Sequence, residues 1–415
     1  MSSPMVFPLP LDVSDHPFAV AEHLGRMRGR VPPGKRRAVV TVKMRSGVQP
    51  GPLLLRRLSI ATEGAACMDT VTSQTSQVRE LVDRHLARLL DEQLVRLAFL
   101  DEPDVELVRE FLVTFVLEGG KRLRPAFVHW GYRAAGGERP QDALPAACAV
   151  ELVHAAALLL DDVMDEADSR RGRPAAHVAL AGLHRRAGRR GDAGRFGESA
   201  VTLLALLALS WADAALLETG PRLGAALDIL TQLRVEAIGG QYLDLARTGG
   251  AGAGEEQVRR ISLYKSGKYT VERPLHLGHA VAGGSPRTRR LLSAYALPLG
   301  EAFQLRDDIS GVFGDPASTG KPAGVDLLQG KATYLLVEAR RRTGSPLLDD
   351  ITDHRDVAAV RRLIAECGAL NAAEQRIAVL VESAVAALDW PPGIPAEARQ
   401  ALAELAAQAT EGAPE

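Results

Sequence analysis

From Thr72 almost to the end of the chain, apolar side chains recur every third or fourth position with hardly a break, and a chain with that period buries them by packing helix on helix. The period predicts helices over about 72–98, 104–117, 121–136, 141–166, 197–219, 222–247, 255–283, 286–313 and 330–343, with shorter ones to about 409. Between them stand the breakers that helix connections need: Gly136-Gly137, Gly188 to Gly194, Gly249 to Gly254, Gly283-Gly284 and Gly314 to Gly324. Aromatic residues are only 4% of a chain that is 46% hydrophobic, so Ala, Leu and Val must build the core. No alternation of strand and helix periods appears, which argues against a doubly wound nucleotide-binding fold. The expected fold is all-α, a single large helical bundle of about ten or more helices.

The first stretch differs from everything after it. Met1 to about Cys67 is rich in Pro and Gly, and its basic residues, among them Arg26, Arg28, Arg30, Lys35, Arg36 and Arg37, far outnumber its acids. It shows no sustained helical period and no compact apolar segment of the kind a targeting peptide needs. Residues 1–67 are therefore expected to be a disordered basic extension, with Met68 as the natural start and 68–415 as the folded domain. The whole chain carries a formal net charge of -1, without the basic excess of a nucleic-acid binder, so any anion site must be local. The longest apolar run, about Val201 to Ala212, is too short to cross a bilayer and reads as a buried helix rather than an integral membrane segment. Cys67, Cys148 and Cys367 lack zinc-site or dithiol spacing and read as reduced thiols of a cytoplasmic protein.

Two acidic clusters each end a long apolar helix. In HAAALLLDDVMD, a turn of about 100° per residue sets His154, Asp161 and Asp165 on one stripe with Asp162 beside it. Far along the chain, FQLRDDISG brings Asp307 and Asp308 to the end of a second apolar helix. Carboxylates crowded at the mouth of an apolar interior repel one another unless a cation neutralises them. Oxygen-only ligands suit Mg²⁺, which takes one or two carboxylates and completes its shell with water and phosphate oxygens. Either cluster alone reads better as a solvated helix terminus; two of them facing across a bundle would hold a multi-Mg²⁺ cage around a diphosphate.

Cations accompany both clusters. GGKRLRP sits where one helix stops and the next starts, with glycines for close backbone approach and Lys121 and Arg124 available to phosphate oxygens. Arg170 and Arg171 follow the first cluster directly, and two adjacent arginines can serve two diphosphates through forked hydrogen bonds. YKSGKYT supplies Lys265 and Lys268, while Lys321 and Lys331 follow the second cluster.

These motifs, GGKRLRP, HAAALLLDDVMDEADSRRG, GGQYLDL, YKSGKYT, FQLRDDISGVFGDP and TGKPAGVDLLQGK, occur in the order found in the polyprenyl synthetases, the trans-isoprenyl diphosphate synthases, which the chain resembles over about 72–407. The resemblance implies the prenyltransferase bundle, usually a homodimer, and Mg²⁺-dependent condensation of isopentenyl diphosphate with an allylic diphosphate. It further implies three Mg²⁺ ions, held with the diphosphate by Asp161, Asp162, Asp165, Asp307 and Asp308. Lys121, Arg124, His154 and Arg171 would bind isopentenyl diphosphate, and Arg170 the allylic diphosphate. Lys265, Gln304, Lys321 and Lys331 would complete the allylic side, with Lys268 and Gln241 as lesser candidates. Two departures stand out: Gly311 occupies the place where many members carry a third Asp of the second cluster, and Leu204 to Leu209 replaces a common Gly-Asp pair.

Under that resemblance, the reaction would be ionisation of the allylic diphosphate, attack by the isopentenyl double bond and proton loss, with the loops at 166–197 and 314–329 as candidate lids against water. Ala156 and Ala157 precede Asp161 by about one helical turn, where farnesyl-producing members commonly carry an aromatic. Neither would block a growing chain, so geranylgeranyl diphosphate or a longer product is expected, shortened by Ala156→Phe. A class I terpene cyclase also places aspartates on a helical bundle, but the chain shows no second cyclase metal motif and carries cations for two diphosphates. A non-catalytic partner subunit of a heteromeric synthase would be expected to lose the acidic clusters, which are present here.

Overall fold

Helix α1 (76–95) shows how the sequence period becomes packing: Val82, Leu86, Leu89 and Leu90, spaced at three and four residues, are all but fully buried. The computed structural model describes residues 76–118, 120–246, 254–314, 324–349, 351, 353–389 and 393–411. The extension expected over 1–67, its boundary with the folded domain and Lys321 lie outside the described residues.

Helix α2 starts at Glu102–Val108, widens into a π turn over Arg109–Thr114 and ends at Phe115–Leu117. Next come α3 (Leu123–Ala134) and α4 (Leu144–Met164), the latter entered through a tight turn at Pro140–Ala143. A small antiparallel hairpin pairs β1 (Ser169–Arg170) with β2 (Arg173–Pro174). Helix α5 (Ala176–Arg186) follows, and α6 (Ala193–Leu217) is N-capped by the Asp192 carboxylate, which accepts from the Arg195 amide. After α7 (Leu223–Leu245), α8 runs from Glu255–Ile261 through an eleven-residue π segment, Ser262–Glu272, into Arg273–Ala282. Helix α9 (Pro286–Phe313) is N-capped by Ser285, and the single turn α10 (Val325–Leu328) and α11 (Tyr334–Thr343) follow it. Helices α12 (His354–Glu366), α13 (Ala369–Leu388) and α14 (Ala396–Thr410) complete the chain.

The fold is thus the expected helical bundle. One expected loop differs: residues 166–197 contain the hairpin and α5, whose period the sequence hides because only Leu180, Ala181 and His184 are buried along it. Helix α6 is 25 residues long, more than the 201–212 run suggested; it and the segment 140–164 are long and apolar enough to cross a membrane by length and composition alone. The most apolar 18 residues of 140–164 are 83% buried within the protein, and α6 packs along α4 and α5, so both are built into the bundle.

Apolar side chains of α1, α2, α4, α6 and α7 form one core, including Leu152, Leu159, Leu216 and Leu230. A second core joins α3, α8, the first half of α9 and α14 around Phe127, Trp130 and Tyr295. A third joins the end of α9 to α10, α11, α12 and α13. Burying each such leucine or aromatic contributes on the order of 1.5–3 kcal/mol, which fixes the helices that carry the polar residues between the cores.

Two glycines decide how α8 meets its neighbours. A Cβ on Gly240 of α7 would overlap the Lys265 backbone, and one on Gly300 of α9 would stand 2.6 Å from the Gly267 Cα. Without side chains at those points the wide π segment lies directly between α7 and α9. A π turn shifts register by one residue per turn, and here it turns Lys265 toward α4.

Candidate active site

A cavity of about 240 Å³ opens between the ends of α4 and α9. Asp161 lines it from α4, and Asp307 and Asp308 line it from α9, so the two acidic clusters share one hollow. Arg124, His154, Arg170, Arg171, Lys265, Gln304 and Lys331 line it as well. Leu158 and Phe303 supply apolar wall.

Asp162 lies beneath this surface, 2% exposed, and both its oxygens accept from Arg170, at 2.5 Å from Nε and 2.7 Å from Nη2. The Arg170 guanidinium also stands 3.8 Å from Asp161. Asp161 Oδ1 accepts from the Gln241 amide at 3.1 Å and lies 3.5 Å from the Lys265 ammonium. Asp165 is held from the far side of the chain by Lys331, whose Nζ donates to its carboxylate at 2.6 Å. Gln329 donates to the Asp165 carbonyl at 2.8 Å, so the segment around α10 is fastened to the end of α4. In the second cluster, the Gln304 amide donates to Asp308 at 2.7 Å and to Asp307 at 3.3 Å.

On the opposite wall, Arg124 donates through Nη1 to His154 Nε2 at 3.0 Å and through Nη2 to the Thr270 hydroxyl at 3.0 Å. Because arginine only donates, His154 Nε2 must accept and its proton sits on Nδ1, which donates to the Tyr269 hydroxyl 2.9 Å away. Arg171 adopts a left-handed backbone at φ 52° and its guanidinium lies over the Phe115 ring.

The other sequence candidates fall outside the cavity lining. Lys121 is exposed on the loop before α3. Lys268 turns to α7 and donates to Glu236 at 3.1 Å. Ala156 is packed in the first core, while Ala157 is half-buried beside it. Two acidic lining residues escaped sequence reasoning, Asp244 and Asp326. Asp244 accepts from Lys265 at 2.6 Å, and Asp326 stands 3.6 Å from Lys331. Both lie within recognised motifs, GGQYLDL and TGKPAGVDLLQGK, where a single acid gives no periodic signal.

Asp326 also accounts for Gly311. A Cβ on Gly311 would collide with the Asp326 carboxylate, which therefore fills the space a third aspartate would otherwise take. At the other departure, Leu204, Ala205 and Ala208 are buried in the first core, away from the cavity.

Burial, reinforced by Asp307 and Asp326 and opposed by the Gln304 amide, pushes the Asp308 carboxyl up to about 7. Burial and the nearby Asp161 raise Asp165 as well, against the pull of Lys331. Burial works against charge on Lys265, but Asp161 and Asp244 outweigh it and hold the ammonium above the usual lysine value. Lys331 is raised in the same way by Asp326, Asp165 and Asp161. An added cation would relieve the two carboxyls raised in this way, Asp308 and Asp165. Among the described residues no three acidic, His or Cys groups are preassembled to hold an ion alone. The aspartates of the two clusters would suit Mg²⁺ only with water and phosphate oxygens completing its shell.

The sequence profile of the family described as polyprenyl synthetase matches residues 105–367. The chain belongs to that family. It is similar to the geranylfarnesyl diphosphate synthase of Aeropyrum pernix, at 31% identity over 68% of this chain and 87% of that one. It is also similar to a short chain isoprenyl diphosphate synthase of Methanothermobacter thermautotrophicus, at 30% identity over 66% of this chain and 75% of that one. Among solved structures, a geranylgeranyl pyrophosphate synthase from Corynebacterium glutamicum complexed with isoprenyl diphosphate and magnesium superposes with a TM-score of 0.76, at 39% identity over 81% of this chain and 98% of that one. The chain is accordingly a prenyltransferase of the kind that elongates isoprenyl diphosphates.

Proposed function

We propose that the cavity between α4 and α9 is the chamber in which isopentenyl diphosphate is joined to an allylic diphosphate, giving geranylgeranyl diphosphate or a longer product. The observation that carries this reading is the shared hollow: Asp161 and Asp307, far apart in sequence, line one cavity whose cations are held on carboxylates that surround it. Asp161, Asp162, Asp165, Asp307 and Asp308 are the proposed Mg²⁺ residues, with Asp326 and Asp244 alongside them. Magnesium, when bound, would neutralise the departing diphosphate and so lower the barrier to ionisation.

The chain's own groups divide between two substrates. Arg170, Lys265, Lys331 and Gln304 face the acidic clusters and would hold the allylic diphosphate, stabilising negative charge as it develops on the leaving group. Lys321 is assigned to the same side from its motif. Arg124, His154, Arg171 and Lys121 would hold isopentenyl diphosphate on the other wall. Gln241, bonded to Asp161, orients that carboxylate, and Lys268 acts through its neighbours on α7. The terminal carbon of the isopentenyl double bond attacks C1 of the allylic cation, leaving a tertiary cation at C3, and a proton then leaves the adjoining C2 to form the new double bond, with the released diphosphate as acceptor. Leu158 and Phe303 exclude water that would quench the cation. The hairpin 169–174 and the turn around α10 are the proposed covers, since Arg170 and Lys331 tie them to α4.

Product length follows from the small side chain of Ala157, one turn below Asp161; Ala156, expected to share that role, is instead packed 1% exposed in the first core. A homodimer is proposed through α6 and α7, where Leu203, Leu206, Val235, Ile238, Tyr242 and Leu245 are all more than half exposed. Residues 68–415 form the proposed synthase domain. Incubation with isopentenyl diphosphate and each of dimethylallyl, geranyl and farnesyl diphosphate, with Mg²⁺ or EDTA, tests the proposal by chromatography of the dephosphorylated alcohols. Elongated alcohols of twenty or more carbons, lost in EDTA, are expected. Cyclic hydrocarbons would point to a cyclase instead, and absence of turnover to a non-catalytic partner subunit.

A further inference from the structure

Arg122 sits between Lys121 and Arg124, the two substrate candidates of its motif, and like Lys121 it lines no part of the cavity. Its backbone is left-handed, φ 53° and ψ 36°, a conformation that costs a residue with a Cβ free energy unless its surroundings enforce it. Its charged side chain is only 2% exposed, and its hydrogen bonds reach three helices. Nε donates to Asp83 of α1 at 2.8 Å, and Nη1 donates to Glu151 of α4 at 2.5 Å. Nη2 donates to the Val116 and Leu117 carbonyls at 2.8 and 3.2 Å, capping the last turn of α2.

The geometry is that of a register lock. Glu151 and His154 are one turn apart on α4, and Arg122 and Arg124 are two residues apart at the start of α3, as its N-cap and in its first turn. Arg122 grips Glu151 outside the cavity, which leaves Arg124 to meet His154 at its wall. The same guanidinium fixes the end of α2, where Arg171 donates to the Glu118 carbonyl at 3.5 Å. Arg170, Lys265 and Lys331, by contrast, are held by Asp162, Asp244 and Asp165, none of which contacts Arg122.

We propose that Arg122 and Glu151 are positioning residues for the isopentenyl diphosphate half of the site: they hold Arg124, His154 and Arg171 in register without touching substrate. The inference rests on the assignment of those three residues to isopentenyl diphosphate. Steady-state kinetics of Arg122→Lys and Glu151→Gln, with Arg124→Gln as reference and thermal melts alongside, test it. In both positioning variants the KM for isopentenyl diphosphate rises about tenfold, because small displacements of binding groups are costly, while the KM for the allylic substrate stays within about twofold. Parallel rises in both constants, or no rise in either while Arg124→Gln raises the isopentenyl KM, would overturn it. An Arg124→Gln enzyme with unchanged isopentenyl KM removes the half-site assignment itself, and the inference with it. If Arg122→Lys does not fold, Glu151→Gln carries the test; if neither folds, the pair is a determinant of the fold and the proposal is wrong.

Discussion

Gly311 and Asp326 share one space. Restoring an aspartate at 311, as many family members have, would set two carboxylates against each other at a point where Asp308 is already pushed up to about 7. Gly311→Asp is therefore expected to lower turnover about tenfold or more, since misplacing charge-stabilising groups costs at least that much. Assay of the variant checks this; a rise in activity would show that Asp326 does not fill the role. His276 offers a pH test away from the cavity. Its Nδ1 accepts from Arg273 at 3.1 Å and its Nε2 faces the Ser293 hydroxyl at 2.9 Å, so the ring is held neutral. Burial, with Arg289 and Arg273, lowers it to about 3 from an ordinary 6.5. A depressed folded value means the stability it contributes is present above about pH 6.5 and is lost as pH falls toward 3, by about 1.4 kcal/mol per unit. Melting temperatures between pH 7.5 and 5.5 should fall more steeply for the native chain than for His276→Gln. The two acidic clusters were legible in the sequence because each ends an apolar helix. Asp244 and Asp326 were not, because their partners, Lys265 and Lys331, become neighbours only through tertiary packing or a loop.

Helix α4 carries a core face and a cavity face, and its two alanines before Asp161 behave differently. Ala156 is 1% exposed within the first core, so Phe there would overpack, at a cost of about 1–3 kcal/mol. Ala157 is half-buried and lies four residues before Asp161, about 40° from it around the helix. Ala157→Phe is thus the substitution expected to shorten the product by at least one five-carbon unit, read by chromatography of the alcohols; an unchanged product would place the growing chain along another wall. Helices with long buried stripes, such as α1, α4 and α9, were readable from the apolar period. Helix α5 was not, because three buried residues give too little pattern. Nor was the π segment of α8, which depends on Gly240 and Gly300 across the interface, not on its own residues.

The chain is nearly neutral, yet its charges are sorted: acids and cations gather at one cavity, and an apolar surface is left on α6 and α7. If that surface is a dimer interface, light scattering after gel filtration should give twice the chain mass, and Val235→Glu with Ile238→Glu should give monomers. A monomeric native protein would contradict this. The all-helical bundle followed from the apolar period and the scarcity of aromatics; the cavity did not, since no sequence gives the distance between two helix ends. Anomalous diffraction from crystals grown with Mn²⁺ and inorganic diphosphate would measure the heart of the matter. Manganese peaks between the aspartates of α4 and α9, bridged by diphosphate, are predicted; diphosphate and metal bound elsewhere, with this cavity empty, would contradict the account.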